Sequence, residues 1–337
     1  MKKLHSCIIG CGAVHDVHAN AIAGHPEAVL TAVADIDIRK ARETAELYNC
    51  KPYPDYLEML EQEEIDVVHI CTPHYLHAPM AIASLQRGKH VLVEKPMAIE
   101  VADAEEMIQK ARAAGKKLGV CFQNRYNATS RKILEILSAG GTGRILGAKA
   151  CVFWHRDEKY YASGAWRGTW SQEGGGVLIN QSIHTLDLLL HFLGEVRRVQ
   201  GHVDTRTLRN IIEVEDTAEA TLDFKNGAVG LFYATTSYVT DSPVELEIIC
   251  EHAVLKLAGD LTVTYQNGEV EHILEIDVRT GEKAYWGMGH AALIRDFYAS
   301  LINGSPVKVD GPEGLKTLQT VQAVYQSSRT GKPVEFK

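Results

Sequence analysis

The residue types best suited to acid–base chemistry in this chain are a lysine that follows one apolar run and a histidine inside another. Lys95 belongs to the tripeptide Glu94–Pro96, directly after His90–Val93, which has the β-branched pattern of a short buried strand. Ligands bind beyond the carboxyl ends of strands in an open parallel sheet. Lys95 is therefore expected to face a crevice, where burial and a cofactor move its pKa toward neutrality. The alternative is a surface lysine that opens the next helix. We also hypothesise a cis peptide bond before Pro96.

The histidine lies in the apolar run 177–191, which follows the triple glycine 174–176. Asn180, His184 and Asp187 are spaced i, i+4 and i+7, so a helix over this run carries all three on one face. Polar groups in register on a face rich in leucine and isoleucine indicate a site. The alternative is a core histidine with satisfied hydrogen bonds. Because an imidazole titrates near neutral pH, His184 is a candidate general base.

The elements that must position Lys95 begin with a glycine turn at the amino terminus. The order is strand, glycine turn, helix, strand and acid, at Leu4–Ile9, Gly10-Cys11-Gly12, 14–23, 28–34 and Asp35. This order is typical of dinucleotide binding. Gly10 permits a tight turn, and Gly12 lets backbone N–H groups approach a pyrophosphate at the helix N-terminus. His15 stands where the third glycine of the motif is usually found.

Asp35 indicates which dinucleotide binds. A carboxylate at the end of the second strand accepts hydrogen bonds from both ribose hydroxyls and repels a 2′-phosphate, and Asp37 adds to that repulsion. Arg39 could stack on the adenine or accommodate a 2′-phosphate. The predicted cofactor is therefore NAD, with NADP left open.

Strands alternate with helices up to residue 122, which predicts a parallel, doubly wound sheet. After a long strand at 145–154, alternating apolar patterns recur between 198 and 258, with a hairpin motif at 225–227. These patterns predict the fold class α/β, with a dinucleotide-binding domain over 1–122 and a second domain over 123–337 that contains a meandering antiparallel sheet. One face of that sheet must be covered by helices or by another subunit.

Composition excludes several function classes. The 337 residues carry a net charge of −8, so no basic surface predicts binding to nucleic acid or an anionic membrane. No apolar run approaches membrane-spanning length. The first residues enter a strand instead of a signal peptide, and the seven cysteines contain no Cys-x-x-Cys pair, which predicts a reduced, cytoplasmic protein. No metal is predicted, because the histidines at 15, 18, 74 and 77 lie on different segments without acid-backed ligand pairs.

A loop in the second half concentrates aromatic and arginine side chains, at Tyr160, Tyr161, Trp166, Arg167 and Trp170. Aromatic faces with polar rims suit the C–H faces of sugar rings. The alternative is that these rings only pack the loop onto the core.

With Gly10, Gly12, Asp35, Thr72–His74 and Glu94–Pro96 together, the chain resembles the family of glucose–fructose oxidoreductase and inositol dehydrogenase almost end to end. The resemblance implies NAD(P)-linked hydride transfer at a hydroxyl of a sugar, sugar derivative or cyclitol. It also implies a Rossmann domain over 1–122, followed by an α+β domain over 123–337 with an open, mostly antiparallel sheet. A homodimer or homotetramer formed through that C-terminal sheet is implied as well.

In that family an acid-x-x-x-His pair faces the lysine of the Glu-Lys-Pro motif. Lys95 and His184 match, whereas Asn180 occupies the acid position. An asparagine can hold a hydroxyl by hydrogen bonding but cannot relay a proton. Relatives that oxidise the 3-hydroxyl of nucleotide-linked or glycosidic sugars look similar here.

The site residues are predicted as three sets. The catalytic residues are Lys95, His184 and Asn180. The cofactor contacts are Gly10, Gly12, Ala13, Val14, Asp35, Ile36, Arg39, Thr72, Pro73, His74, His77, Glu94, Lys95 and Asn124. The substrate contacts are Lys95, Arg125, Tyr126, Trp166, Arg167, Asn180, His184 and Tyr285. Two other functions stay open: an NAD-dependent glycosidase that oxidises its substrate transiently, and a non-catalytic sensor of NAD or sugar.

Overall fold

The computed structural model describes residues 3–275 and 289–336. Within them the chain forms two compact units, one of residues 3–123 and 289–316 and the other of residues 124–275 and 317–336. The segment 289–316 thus packs with the first unit, whereas sequence analysis places 123–337 in one domain. That domain division stays a prediction, and the two units are described below one at a time.

Strands and helices alternate in the first unit and give way to mostly strands in the second. The strands are β1 (Leu4–Ile9), β2 (Ala28–Ala34), β3 (Lys51–Tyr53), β4 (Val67–Ile70), β5 (His90–Val93), β6 (Leu118–Val120), β7 (Ile145–Phe153), β8 (Val196–Asp204), β9 (Thr217–Phe224), β10 (Val229–Thr235), β11 (Glu245–Cys250), β12 (Ala253–Ala258), β13 (Asp260–Tyr265), β14 (Val270–Ile273) and β15 (Val334–Glu335). The α-helices are α1 (His15–Ala23), α2 (Ile38–Tyr48), α3 (Tyr56–Gln62), α4 (His77–Gln86), α5 (Val101–Ala113), α6 (Ala128–Ser138), α7 (Glu158–Ala162), α8 (Ile183–Leu193), α9 (Gly289–Asn303) and α10 (Gly311–Thr330).

The first unit contains a six-stranded parallel sheet in the order β3-β2-β1-β4-β5-β6. All four residues of β4 are buried, as expected for strands covered by helices on both faces. The strand order reverses between β1 and β4, and a crevice forms beyond the carboxyl ends of strands at such a point. The predicted doubly wound sheet is confirmed, and β1, β4 and β5 end side by side.

The second unit contains a nine-stranded sheet in the order β14-β13-β12-β11-β7-β10-β9-β8-β15. Among the strand pairs of the described residues in this sheet, only β7–β10 is parallel, so the predicted mostly antiparallel sheet is confirmed. One face is apolar and buried, with Ala148, Ala150 and Val152 of β7 inaccessible to solvent or nearly so. The opposite face exposes the apolar side chain of Leu231.

The predicted helix over 177–191 is wrong at its start. Helix α8 begins only at Ile183, and 177–182 is a turn in which the Ser182 hydroxyl donates to the Val177 carbonyl oxygen at 2.8 Å. The single helical face expected for Asn180, His184 and Asp187 therefore does not form. Among the described residues, no helix has the length and apolar character needed to cross a membrane.

Candidate functional site

The glycine turn of the first unit leaves space in front of the start of α1. Gly10 has φ +95°, and a Cβ there would lie 2.8 Å from the Cys71 carbonyl oxygen, so this position requires glycine. A Cβ on Gly12 would meet no atom of the described residues within 4 Å. Val14, the N-cap of α1, makes no side-chain capping hydrogen bond, and Val17 N donates to the Val14 carbonyl oxygen at 3.1 Å. The N-terminus of this helix is the end that favours an anion. The turn therefore fits a dinucleotide pyrophosphate.

Asp35 is fixed by backbone donors at the end of β2. Its Oδ2 accepts from Cys11 N and its Oδ1 from Asp37 N, both at 2.8 Å. Each carboxylate oxygen keeps a further lone pair that a ribose hydroxyl can use. Ile36 is 97% exposed and offers an apolar surface beside this carboxylate.

Arg39 is already engaged by an acid. Its Nη2 lies 2.9 Å from Asp37 Oδ2 and its Nε donates to Asp37 Oδ1 at 3.0 Å. Hydrogen bonds from Arg39 hold the pKa of Asp37 below its usual value. The negative charges of Asp35 and Asp37 outnumber the single positive charge of Arg39, which disfavours binding of a 2′-phosphate. This balance of charge supports NAD over NADP as the cofactor.

A buried histidine connects the loop after β4 to the turn that follows β5, which contains Lys95 and Pro96 and is called the lysine turn below. His77 Nδ1 lies 2.7 Å from the Pro96 carbonyl oxygen and Nε2 lies 2.8 Å from the Thr72 carbonyl oxygen. Burial lowers the pKa of His77, and a neutral imidazole donates to only one of these carbonyls at a time. The hydroxyl of Thr72 is buried and has no hydrogen-bond partner among the described residues, which suits a hydroxyl or amide of a bound cofactor.

The lysine turn follows β5, and the bond between Lys95 and Pro96 is cis, as hypothesised. Lys95 is half-buried, and its backbone N donates to Glu94 Oε2 at 3.3 Å. The Glu94 carboxylate is buried between two imidazoles, with His18 Nε2 at 2.9 Å and His290 Nε2 at 3.5 Å from Oε1. Burial alone would raise the pKa of Glu94, but hydrogen bonds from both imidazoles outweigh it and hold that pKa well below the usual range.

Behind Glu94 a line of buried side chains shares hydrogen bonds. His18 Nδ1 lies 2.9 Å from His69 Nδ1, His69 Nε2 lies 3.0 Å from the Tyr298 hydroxyl, and that hydroxyl lies 2.5 Å from Ser6 Oγ. Burial keeps the pKa of His69 well below its usual value, so this imidazole is neutral. One direction of hydrogen bonding satisfies every group. Ser6 donates to Tyr298, Tyr298 donates to His69, His69 donates to His18, and His18 donates to the Glu94 anion. We call these side chains the donor line.

Three of these side chains could also hold a metal ion. His18, Glu94 and His290 each offer a ligand atom, and those atoms lie within 4.8 Å of one another. Two imidazoles and a carboxylate suit a divalent transition metal. Because the donor line above already satisfies Glu94 without an ion, the absence of a metal stays our prediction.

In the second unit the turn before α8 is built around a buried acid. Glu215 Oε2 accepts from Gly176 N and Oε1 from Leu178 N, both at 2.9 Å. A Cβ on Gly176 would collide with the Glu215 carbonyl oxygen, and one on Gly175 would collide with the Tyr325 hydroxyl. The glycines are therefore needed for close packing under the turn.

Asn180 is held by a second acid that sequence analysis missed. Its Nδ2 donates to Glu173 Oε1 at 2.5 Å, and Glu173 Oε2 accepts from Gly168 N at the same distance. Glu173 is inaccessible to solvent. The donor end of the amide is thus used inside the protein, which fixes how Asn180 is oriented. His184 lies half-buried in the first turn of α8.

Asp187, which follows His184 by three residues in α8, is held by an ion pair within the second unit. Its oxygens accept from Arg125 Nε at 2.8 Å and Nη2 at 2.7 Å, and from the Thr317 hydroxyl at 2.9 Å. Both members of this bidentate pair are buried. Arg125, a predicted substrate contact, is therefore committed to Asp187.

The remaining predicted contacts after residue 123 divide into three groups. Asn124 Oδ1 is buried without a hydrogen-bond partner among the described residues, as a ligand site would require. Tyr126 is half-buried, as are Trp166 and Arg167, which stack on each other. Tyr285 lies outside the described residues.

Comparison with known proteins accounts for both units. Residues 4–122 match the model of an oxidoreductase family with an NAD-binding Rossmann fold. Residues 137–336 match the C-terminal alpha/beta domain of the same family. The chain belongs to the Gfo/Idh/MocA oxidoreductase family. This membership confirms the predicted resemblance, and the cofactor is NAD.

Several members of the Gfo/Idh/MocA family are similar over the whole chain. D-glucoside 3-dehydrogenase of Escherichia coli K12 is 29% identical, covering 99% of this chain and 98% of the relative. The WlbA dehydrogenase from Chromobacterium violaceum, solved with NADH and UDP-GlcNAcA, is 31% identical with a TM-score of 0.87, covering 100% and 97% of the two chains. Levoglucosan dehydrogenase, solved with NADH and levoglucosan, has a TM-score of 0.89 at 22% identity, covering 99% of each chain, and shows the fold alone.

Proposed function

We propose that this Gfo/Idh/MocA enzyme uses NAD to oxidise, reversibly, a hydroxyl of a sugar, sugar derivative or cyclitol. The observation that carries the proposal is the half-buried Lys95 at the carboxyl end of β5, in the edge of the sheet that also carries the glycine turn. The names of the relatives, which act on glucosides or bind sugars with NADH, support this substrate class. We further propose the 3-hydroxyl as the reacting group, following D-glucoside 3-dehydrogenase.

The proposed chemistry assigns one task to each residue. Bound NAD supplies the hydride acceptor for the carbinol C–H. His184 takes the hydroxyl proton as general base. Lys95 donates a hydrogen bond to the same oxygen and stabilises the developing alkoxide. Asn180, with its amide N–H held by Glu173, accepts a hydrogen bond from a neighbouring hydroxyl through Oδ1.

The cofactor contacts proposed from sequence take two kinds of role. Gly10, Gly12 and Asp35 would bind the pyrophosphate and ribose directly. His77 and Glu94 are buried behind the loops, so we assign them to positioning of Thr72 and Lys95.

The test is NADH formation by wild-type enzyme, His184→Ala and Lys95→Ala over a panel of sugars, glycosides and cyclitols. Removing a general base costs about 10²–10⁴-fold in turnover, so kcat of His184→Ala should fall by that factor while NAD affinity stays within about 2-fold. Lys95→Ala should lose turnover to a similar extent. His202→Ala, an exposed histidine of β8, is the matched control.

Full turnover in His184→Ala would place the base elsewhere. Release of a glycoside's leaving group without net NADH would instead indicate the glycosidase, and binding of NAD and sugar with no conversion of any substrate would indicate the sensor.

We also propose a homo-oligomer formed through the outer face of the nine-stranded sheet. Leu231, Val229 and Ile249 are 56%, 43% and 42% exposed there, beside the charged pair Lys149 and Glu247. An apolar face of this kind is typical of a subunit interface. Analytical ultracentrifugation should give a dimer or tetramer, and a monomer at micromolar concentration contradicts the proposal. The seven free cysteines support a cytoplasmic location, which cell fractionation tests.

A further inference from the structure

The aromatic loop of the second unit contains Arg167, whose guanidinium has no acidic partner in the described part of the chain. The Arg167 guanidinium lies over the rings of Tyr160 and Trp166, 4.5 Å from each centroid, and its Nη1 donates to the Tyr160 hydroxyl at 2.6 Å. Within 3–275 and 289–336, no carboxylate oxygen lies within ion-pair distance of Arg167. Arg156, which lies over the same tyrosine ring, is by contrast paired with Asp241 at 2.9 Å.

A buried amide oxygen beside this arginine also has no hydrogen-bond partner among the described residues. Gln181 is 6% exposed, and its Nε2 donates to the Tyr160 hydroxyl at 3.1 Å. Its Oε1 is buried and has no hydrogen-bond partner among the residues described. The Tyr160 oxygen already accepts from both Arg167 and Gln181, so the phenol proton is left to donate elsewhere. Buried polar atoms of this kind are normally satisfied, which points to a ligand.

These groups form a complementary set, which we call the Arg167 subsite (Tyr160, Arg167 and Gln181). It offers N–H and O–H donors beside one positive charge, and one amide oxygen as acceptor. The stacked guanidinium keeps its planar fork, which matches the two oxygens of a carboxylate. A single positive charge balances a monoanion, whereas a phosphate near −2 would remain undercompensated.

We propose that the substrate is an acidic sugar, whose carboxylate binds Arg167 and Tyr160 while a nearby hydroxyl donates to Gln181. This inference rests on the proposed function, because it specifies the substrate class of the same site. Gln181 directly follows Asn180 and precedes His184 by three residues, so within the second unit the subsite lies within the span of one sugar from these two residues.

The test uses substrate pairs that differ only in the carboxylate: methyl β-D-glucuronide against methyl β-D-glucoside, and UDP-glucuronate against UDP-glucose. We expect the holoenzyme with NAD to prefer the acid of a pair by at least about 10-fold in kcat/KM. Arg167→Gln should raise KM for the acid about 10- to 100-fold, with kcat and the KM for the neutral partner within about 3-fold. Arg167→Lys, which keeps charge without the fork, should lie between.

Arg209→Gln, an exposed arginine of the same unit, is the control and should change neither KM. If sugars are oxidised but acid and neutral partners react equally, or Arg167→Gln shifts both alike, the Arg167 subsite is wrong and the proposed function stands. A preference for glucose 6-phosphate over both acids assigns the charge to a phosphate and overturns the carboxylate. If no panel sugar reduces NAD, the proposed function and this inference fail together. A thermal midpoint for each variant shows that it is folded.

Discussion

Each unit of the molecule buries a glutamate beside a residue proposed for catalysis, but the two carboxylates are stabilised differently. Glu94 precedes Lys95 and is held by the imidazoles of His18 and His290. Glu215 lies under the turn that leads to Asn180 and accepts hydrogen bonds from two backbone N–H groups and, at 3.0 Å, from the Tyr325 hydroxyl.

The difference sets the protonation state of each acid. The imidazoles outweigh burial and hold the pKa of Glu94 well below its usual range. Around Glu215 the partners are neutral, so burial dominates and raises its pKa from 4.5 to about 7. One residue type thus gives a permanent anion in the first unit and a group that titrates near neutral pH in the second.

The larger expected effect is at Glu94. Glu94→Gln removes the anion at which the donor line from Ser6 ends and turns an amide N–H₂ toward one of the imidazoles. We expect the free energy of unfolding to fall by about 3 kcal/mol, because each buried hydrogen bond to a charged group contributes roughly 1.5–3 kcal/mol. Urea denaturation at pH 7 measures this, with the half-exposed Glu106→Gln as control.

A change of under about 1 kcal/mol in Glu94→Gln would show that Glu94 carries no charge in the folded protein. The same experiment also tests for a metal at His18, Glu94 and His290. Excess EDTA should leave the wild-type midpoint unchanged, and a lower midpoint would indicate a bound cation that the donor line does not require.

The smaller effect is a change in pH dependence at Glu215. Because its folded pKa is raised above the unfolded value, the folded state binds more protons between pH 4.5 and about 7, and stability falls as pH rises through that window. The shift corresponds to roughly 3 kcal/mol across the whole window. Glu215→Gln, neutral at every pH, should lose most of this slope.

Urea denaturation at several pH values from 5 to 8 compares the two slopes. Glu219→Gln, an exposed glutamate of β9, should keep the wild-type slope. Equal slopes in wild type and Glu215→Gln would mean that the backbone donors stabilise the Glu215 anion as fully as the imidazoles stabilise the Glu94 anion. The two carboxylates would then not differ in protonation state.

Much of the first unit could be predicted because its signals are local. Buried parallel strands are continuous apolar runs, so β1 and β2 are found at their predicted bounds. The glycine turn and Asp35 are adjacent to the strands that position them.

The second unit depends more on contacts between distant residues. Glu215 accepts a hydrogen bond from the turn before α8, and Asp187 pairs with Arg125. Both partners are distant in sequence, so the apolar periodicity around His184 could not reveal these two contacts. Strands β13 and β14 were missed because they alternate polar residues with few buried ones at the edge of the sheet. An acid directly before three glycines is the sequence feature that could have pointed to Glu173.

The parallel pairing of β7 with β10 has a consequence for the order of folding. Gly147 of β7 faces Val229 on one side and Ile249 on the other, so both partners of this strand are synthesised long after it. In a growing chain, both edges of β7 therefore stay unpaired until β10 has been synthesised, and one edge stays unpaired until β11 has followed. Such pairings between distant segments form slowly, and chaperone binding to nascent chains that end between 160 and 240 is the expected result.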